Sequence, residues 1–212
     1  MGKETEQKQE IVNQGVHTYS QEEAYVWPEE PVLREQLEWF QDQKLALMVH
    51  WGVYNQLGMV ASWALSDEDA EWSRKTVDWT DDGEVFKRQY RALNRAFDPV
   101  AFQPEEWAKM AKKCGFRYLI LTTKHHDGFC LWDTAYTTAE DCPFHTHKYA
   151  DIVRAMFDAF RKEKLGIGVY YSKADWHCPD YWEKEKVFTG KTTRNPTYDP
   201  KENPEAWERF RA

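Results

Sequence analysis

The chain has no surplus of basic residues and no long apolar run, and each absence excludes a class of protein. Its 212 residues carry 28 Lys and Arg against 36 Asp and Glu, a formal net charge of −8. The phosphate backbone of nucleic acids selects a basic surface, so this balance argues against DNA or RNA as a partner. No run of about 18 apolar residues exists, so the sequence predicts no membrane span.

Cysteine is scarce as well. The chain has four, Cys114, Cys130, Cys142 and Cys178, with no C-x-x-C pair and no zinc-like spacing, which predicts reduced thiols. The first residues, MGKETEQKQE, contain no apolar signal-peptide core, so no leader is visible and the compartment stays open. Residues 1–25 are polar and acidic, which predicts a flexible N-terminal arm before an ordered domain over 26–212.

Aromatic residues, in contrast, are abundant. The chain has 11 Trp, 11 Tyr and 11 Phe, together 16% of its residues. Trp and Tyr join a large apolar face to a polar edge. Sugars present the complement, because their apolar C–H faces are ringed by hydroxyl groups. Composition alone therefore leaves two interpretations open, an aromatic core and a carbohydrate-binding site.

Strand and helix patterns alternate along the chain. Three short apolar runs predict buried parallel strands, LALMVHW at 45–51, RYLILTTKHH at 117–126 and GIGVYYS at 166–172. Helices are predicted over 31–42, over 84–96, from Pro104 to Gly115, over 149–166 with Gly166 as C-cap, and from Pro204 onward. Residues 52–83, 127–147 and 173–200 lack a period and predict long loops, the first with room for short helices. This alternation indicates βα units and an α/β fold.

Polar side chains collect where each predicted strand ends. The three groups are His50-Trp51-Gly52, Lys124-His125-His126-Asp127-Gly128, and Tyr170-Tyr171-Ser172 with Asp175-Trp176-His177 just beyond. Parallel α/β sheets and barrels bind ligands at the C-terminal ends of their strands. Imidazole and phenol groups donate and accept hydrogen bonds as sugar hydroxyls require, and Trp offers a stacking face. The set favours a sugar site.

Two alternatives stay open for these side chains. A single histidine at a strand end is commonly a satisfied core residue. The neighbours His125 and His126 point to opposite faces of a strand unless the strand ends before them. Three histidines with nearby aspartates could also ligate zinc or iron, although no H-x-x-x-H spacing supports this. His145 and His147 have the pattern of solvated loop residues.

These motifs resemble one family. HWGVYNQLG at 50–58, FDP at 97–99, EEWAKMAKKCGFRYLILTTKHHDGFCLW at 105–132 and LGIGVYYSKADWHCPDY at 165–181 are similar to glycoside hydrolase family 29, the α-L-fucosidases. The resemblance covers about residues 27–212. It implies a (β/α)8 TIM-like barrel, of which residues 26–212 would form a partial catalytic domain with the first three or so βα units. Three strands have two open edges, so oligomer formation is left open.

The resemblance also implies a function. The family consists of retaining exo-glycosidases that hydrolyse terminal α-L-fucosyl linkages of glycans or glycoconjugates, with no cofactor and no metal. Its members are often periplasmic, secreted or lysosomal. By matched motif, the side chains expected around the fucose ring are His50, Trp63, His125, His126 and Tyr170. Tyr170 is preferred to Tyr171 because the family pattern is G-x-Y-x-S, which begins here at Gly168.

The sequence departs from the family in two places. No residue matches the family nucleophile, an aspartate at the end of the fourth strand, which we expect beyond Ala212, and the acid/base residue is expected later still. Many members carry Glu before the Trp of the first long loop, whereas this chain has Ala61-Ser62-Trp63, with Glu68, Asp69 or Glu71 as substitutes. A noncatalytic or decayed fucose-binding relative and an α-L-galactosidase of the same family therefore stay open as alternatives.

Overall fold

The computed structural model describes residues 26–66, 71–132, 151–182 and 198–211. Within them the strands are β1 (Ala46–Val49), β2 (Tyr118–Lys124) and β3 (Gly166–Tyr171). The helices are α1 (Pro31–Asp42), α2 (Gly83–Arg91), α3 (Pro104–Lys113), α4 (Ile152–Lys162) and α5 (Pro204–Arg211). This order confirms the predicted alternation of strands and helices. The predictions for residues 1–25, Glu68, Asp69, Cys142, His145, His147 and the side chain of Glu71 fall outside the described residues.

The three strands form one parallel sheet in the order β1-β2-β3. Ala46 to Val49 pair with Tyr118 to Leu121, and Tyr118 in turn pairs with Gly166. The strands are shorter than predicted, because β1 ends before His50 and β2 ends before His125. The alternation of faces along a strand therefore no longer applies to the histidine pair, and both histidines lie at the rim of the sheet.

One face of the sheet carries the core. Leu119 and Leu121 of β2 are fully buried on this face, where α4 packs against β2 and β3 and α3 packs against α4. Helix α4 contributes Met156 and Phe160, both 0% exposed, as its strong apolar periodicity predicts. Burial of a side chain as large as Phe160 stabilises the fold by about 2–3 kcal/mol.

The opposite face is less covered. By strand register Met48 shares this face with Ile120 and Gly168, and its side chain is 51% exposed. Helix α1 forms where predicted but buries no side chain fully, and Leu33 and Phe40 of its apolar stripe stay about half exposed. No helix in the described ranges is long and apolar enough to cross a membrane. Apolar surface on this side of the sheet is thus open to a further packing layer.

Gly166 is not the C-cap that the sequence predicts. Helix α4 ends at Lys162, and the left-handed residue after it is Lys164, with φ of 57°. Gly166 is instead the first residue of β3, where Trp39 of α1 packs on it. A Cβ atom at this position would lie 2.4 Å from Cη2 of Trp39. Glycine at position 166 therefore allows Trp39 of α1 to pack closely on β3, and it does not form a turn.

The segment predicted to be irregular over 52–83 contains three short 3-10 helices, as the loop prediction allowed. They are Val53–Leu57, Ser62–Leu65 and Glu71–Thr76. The first two bring Tyr54, Ser62 and Trp63 against the residues that follow β1 and β2. Free thiols are present at Cys114, Cys130 and Cys178.

Candidate functional site

The ends of β1, β2 and β3 bring His50, His125 and Tyr170 together, and we call these three residues the rim cluster. The ring centroids are 5.1 Å apart for His50 and His125, and each lies 6.0 Å from Tyr170. The rings of His125 and Tyr170 are nearly parallel, at 10°, whereas His50 stands almost at a right angle to both. Three strands thus deliver three hydrogen-bonding rings to one place.

The histidines at this rim are oriented by the protein itself. Their Nδ1 atoms lie 2.9 Å from Thr122 Oγ1 for His50, 2.5 Å from Ser62 Oγ for His125, and 3.0 Å from the Ala174 carbonyl oxygen for His126. A hydrogen bond at Nδ1 fixes both the direction of an imidazole ring and its tautomer. The orientation of these rings therefore exists before any ligand binds.

Trp63 and His126 flank the rim cluster. The Trp63 ring centroid is 6.4 Å from that of His125, and the side chain is 40% exposed. His126 lies edge-on to His125 at 4.7 Å and stacks on Trp176 at 4.5 Å. All five residues expected from the sequence therefore belong to one connected set of ring contacts.

Sequence reasoning missed Tyr54, which also contacts the rim cluster. Its ring lies 5.3 Å from His50 and 5.7 Å from His125, and its side chain is 0% exposed. Its hydroxyl group has no hydrogen-bond partner in the described part of the chain. Burial, with smaller contributions from Asp127 and Tyr170, raises the pKa of Tyr54, so the phenol stays neutral. Tyr54 lies within the motif HWGVYNQLG, but its aperiodic segment gave no indication that its ring is buried against the two histidines.

Burial also keeps the imidazoles uncharged. It lowers the pKa of His50 below its ordinary value. For His125, burial and then the neighbouring His126, His50 and Lys124 lower the pKa to about 3. A neutral imidazole donates one hydrogen bond and accepts another, whereas the cation only donates. The rim cluster therefore presents polar groups without a full charge, which suits an uncharged polar ligand.

A buried ion pair joins β2 to the loop after β3. Lys124 Nζ lies 3.1 Å from Asp175 Oδ2, and the two side chains are 4% and 14% exposed. Asp175 Oδ1 also accepts hydrogen bonds from the backbone N–H groups of residues 177–178, at 2.9 Å each. The pair thereby holds the turn that carries Trp176 onto His126.

Asp127 is engaged in a second buried arrangement. Its Oδ2 accepts from the Tyr90 hydroxyl at 2.8 Å and its Oδ1 from the Phe129 N–H at 3.1 Å. Burial raises the pKa of Asp127 to about 6, although the hydrogen bond from Tyr90 opposes the shift. Both carboxylates near the rim, Asp127 and Asp175, therefore hold the local fold. Across the described ranges no three His, Cys, Asp or Glu side chains are grouped to hold a metal ion.

Gly128 follows the histidine pair with φ of 80°, and a Cβ atom there would lie 2.8 Å from His177 Cβ and 3.0 Å from Asp175 Oδ1. Gly115 has a similar φ of 82° but nothing within 4 Å of an added Cβ, so Gly115→Ala is a matched control. Strain in the left-handed region should cost Gly115→Ala about 1 kcal/mol of unfolding free energy. Gly128→Ala should cost at least about 2 kcal/mol, because a steric clash is added. Urea titration measures the unfolding free energy of both variants, and equal decreases would contradict a steric clash at Gly128.

Comparison with known proteins decides the family. A family model described as Alpha-L-fucosidase matches residues 12–210 of the 212. The chain belongs to the α-L-fucosidase family. This confirms the resemblance carried by the strand-end motifs.

Two relatives in this family are 30–32% identical to the chain over the aligned residues. The tissue α-L-fucosidase of Rattus norvegicus is 32% identical over 146 residues, which cover 68% of this chain and 31% of that protein. The plasma α-L-fucosidase of Homo sapiens is 30% identical over 148 residues, with 69% and 32% covered. The chain thus spans about a third of the length of these curated relatives.

Solved fucosidase structures show the same fold. A glycoside hydrolase family 29 α-L-fucosidase from Bacteroides thetaiotaomicron superposes with a TM-score of 0.58 and 28% identity, covering 92% of this chain and 38% of that one. An α-L-fucosidase from Lactobacillus casei, in complex with α-L-fucose product, gives a TM-score of 0.55 and 27% identity, with 82% and 52% covered. These neighbours confirm the α/β class of the chain, with its small parallel sheet.

Proposed function

We propose that this chain forms the fucose-recognising part of a retaining exo-α-L-fucosidase, which removes terminal α-L-fucosyl groups from glycans or glycoconjugates. The observation that carries the proposal is the rim cluster. Three hydrogen-bonding rings come from three consecutive parallel strands, at the end where such sheets bind ligands. Residues 26–212 would belong to a (β/α)8 TIM-like barrel, and the parallel order of β1, β2 and β3 supports this.

Each side chain at the rim has a proposed role in holding the sugar. The expected contacts to fucose hydroxyl groups come from His50, His125, His126 and Tyr170. Trp63, 40% exposed beside His125, would cover an apolar face of the ring. The Lactobacillus casei relative, solved with α-L-fucose product, supports fucose as the sugar.

Retention of configuration needs a nucleophile and an acid/base, two carboxyl groups about 5–5.5 Å apart. A Bacteroides thetaiotaomicron relative has been solved as a trapped covalent intermediate in complex with 2-fluoro-fucosyl fluoride, which supports a retaining mechanism. We assign neither Asp127 nor Asp175 to these roles, because both are held by buried hydrogen bonds or an ion pair. The proposed contribution of the described residues is therefore recognition of the sugar.

Calorimetric titration with L-fucose tests this proposal. Tyr170→Phe removes one hydroxyl group at the rim and should weaken L-fucose binding by about tenfold. Tyr171→Phe is the matched control, because it removes a hydroxyl group from the next residue of β3, outside the rim cluster. The Tyr171 ring lies 4.9 Å from Lys124 Nζ, and the residue is 51% exposed. His50→Ala should weaken binding at least as much as Tyr170→Phe. A folded protein that binds no L-fucose, or equal losses in the two tyrosine variants, would contradict the proposal.

Two alternatives share the same site, and each has one supporting observation. Ser62 stands where many family members have Glu, which favours an α-L-galactosidase, since L-galactose differs from L-fucose by a hydroxyl group at C6. Competition between the two sugars separates these substrates. A noncatalytic fucose-binding protein is the second alternative, because neither carboxylate near the rim, Asp127 or Asp175, is assigned a catalytic role. Release of phenol from an aryl α-L-fucoside separates that case from an enzyme.

A further inference from the structure

Two buried hydroxyl groups hold the histidines of the rim cluster. Ser62 Oγ bonds to Nδ1 of His125, and Thr122 Oγ1 bonds to Nδ1 of His50. Ser62 and Thr122 are both 0% exposed. Within the described part of the chain, each hydroxyl group has the imidazole as its hydrogen-bond partner and no other. Each bond therefore has to satisfy a buried hydroxyl and a buried ring nitrogen at once.

The direction of these two bonds follows from the single hydrogen on each hydroxyl group. If Oγ accepted from an Nδ1–H group, the hydroxyl hydrogen would be buried without an acceptor. A buried unpaired donor disfavours that arrangement by about tenfold or more. Ser62 and Thr122 therefore donate to Nδ1, and the imidazole hydrogen of His125 and of His50 lies on Nε2.

His126 is held in the opposite sense. Its Nδ1 lies 3.0 Å from the carbonyl oxygen of Ala174, which can only accept a hydrogen bond. Nδ1 of His126 therefore carries a hydrogen and donates it to this carbonyl oxygen. The three histidines at the rim thus differ at Nδ1, which accepts a hydrogen bond in His50 and His125 and donates one in His126.

The geometry points to Ser62 and Thr122 as positioning residues that fix His125 and His50 as Nε2–H donors to oxygen atoms of the bound sugar. This inference rests on the proposed function, because it assigns donors to the fucose site. A hydroxyl group can both donate and accept, so an unfixed imidazole would tolerate several orientations of the sugar ring. Two fixed donors restrict that orientation, and the restriction is made by hydroxyl groups that never touch the sugar.

The tautomers can be read directly by NMR on the ligand-free 212-residue chain labelled with 15N-histidine. Substitution by Asn at His50, His125 and His126, one at a time, assigns the signals. His50 and His125 should show a protonated Nε2 and an unprotonated Nδ1, while His126 should show a protonated Nδ1. Nδ1–H in His50 or His125 would overturn the inference.

Variants of the two hydroxyl residues test the positioning role. Thr122→Val is isosteric and removes the donor, so His50 should lose its uniform Nε2–H tautomer and L-fucose should bind about tenfold more weakly. Thr122→Ser should restore both properties, which a purely structural role for the Thr122 side chain would not explain. Ser62→Ala should change the His125 signals in the same way. If Ser62→Ala does not fold, the Thr122 pair still decides the outcome, and an unchanged tautomer in Thr122→Val would overturn the inference.

The predicted tautomers and the predicted binding of L-fucose can each be contradicted without the other. Predicted tautomers in a folded protein that binds no L-fucose would support the tautomer assignment and overturn both the proposed function and the role toward a sugar. Wrong tautomers in a protein that binds L-fucose would leave the proposed function intact and overturn the role of Ser62 and Thr122.

Discussion

Asp175→Asn should lower the free energy of unfolding by about 3 kcal/mol or more, because it leaves a buried cation without its partner. Lys124 is 4% exposed, and it would retain the Ser172 carbonyl oxygen at 3.0 Å and the face of Tyr171. Neither contact carries a full negative charge. Asn keeps an Oδ1 atom for the backbone N–H groups of residues 177–178, so the loss comes from the charge rather than from the turn. The midpoint of urea unfolding measures the change.

Two further variants separate the ion pair from its surroundings. The double variant Lys124→Met with Asp175→Asn should recover part of the loss, since no buried charge remains. The control is the pair Lys109 and Glu106, whose nitrogen and oxygen atoms lie at a similar 2.8 Å but whose side chains are about 60% exposed. Glu106→Gln should leave the unfolding midpoint unchanged, because solvent screens that pair. Similar decreases in unfolding free energy for Asp175→Asn and Glu106→Gln would show that burial of an ion pair does not determine how much stability its loss removes.

The same ion pair should matter for the rim. Asp175 holds the turn that carries Trp176, and Trp176 stacks on His126 at 4.5 Å. Asp175→Asn should therefore also weaken L-fucose binding, while Glu106→Gln should not.

Between about pH 7 and about pH 4, two buried groups should change stability in opposite directions. His125 has a pKa of about 3 in the folded protein against its ordinary 6.5. Its stabilisation is complete above pH 6.5 and is lost as the pH falls, by about 3 kcal/mol at pH 4. Asp127 has a pKa of about 6 against its ordinary 3.8, so the folded protein takes up its proton first. Stability from Asp127 therefore rises by about 2 kcal/mol over the same interval.

Single variants should expose the two opposing contributions, which nearly cancel in the original chain. Asp127→Asn removes the stability that protonation of Asp127 adds at low pH. From pH 7 to pH 4 the unfolding free energy of this variant should therefore fall by about 2 kcal/mol more than that of the original chain. His125→Asn keeps an acceptor for Ser62 and removes the titration, so its stability should improve relative to the original chain by about 3 kcal/mol over that interval. Urea unfolding at several pH values measures these differences, and other titrating groups cancel in the comparison. Parallel pH profiles for the three proteins would contradict the assignment.

The sequence was sufficient to locate the rim because strand ends carry a local signal. A short apolar run bounded by Gly and polar residues predicts where a parallel strand stops, and ligand contacts collect at that end. The five residues predicted from the motifs do lie in one set of ring contacts. Their roles toward a sugar remain proposals. The sequence also predicted the positions of helices α1, α3 and α4, because each has a strong apolar periodicity or residues typical of a helix start.

The sequence misplaced features that depend on contacts between distant segments. Gly166 has the pattern of a helix C-cap, yet Trp39, far away along the chain, decides its role. Leu33 and Phe40 belong to the apolar stripe of α1, and the structure leaves both about half exposed. A periodic pattern reports which face is apolar but not what packs against it.

The sequence by itself determined the α/β class, the family motifs and the polar residues that gather near the strand ends. Only the tertiary structure decided which side chains orient them. Ser62 is 63 residues from His125 and Thr122 is 72 from His50, so no local pattern connects either pair. Tyr54, the Lys124 and Asp175 pair and the buried Asp127 likewise depend on segments that meet only when the chain folds. The reason is physical, because burial and hydrogen-bond direction belong to an environment that several distant segments build together.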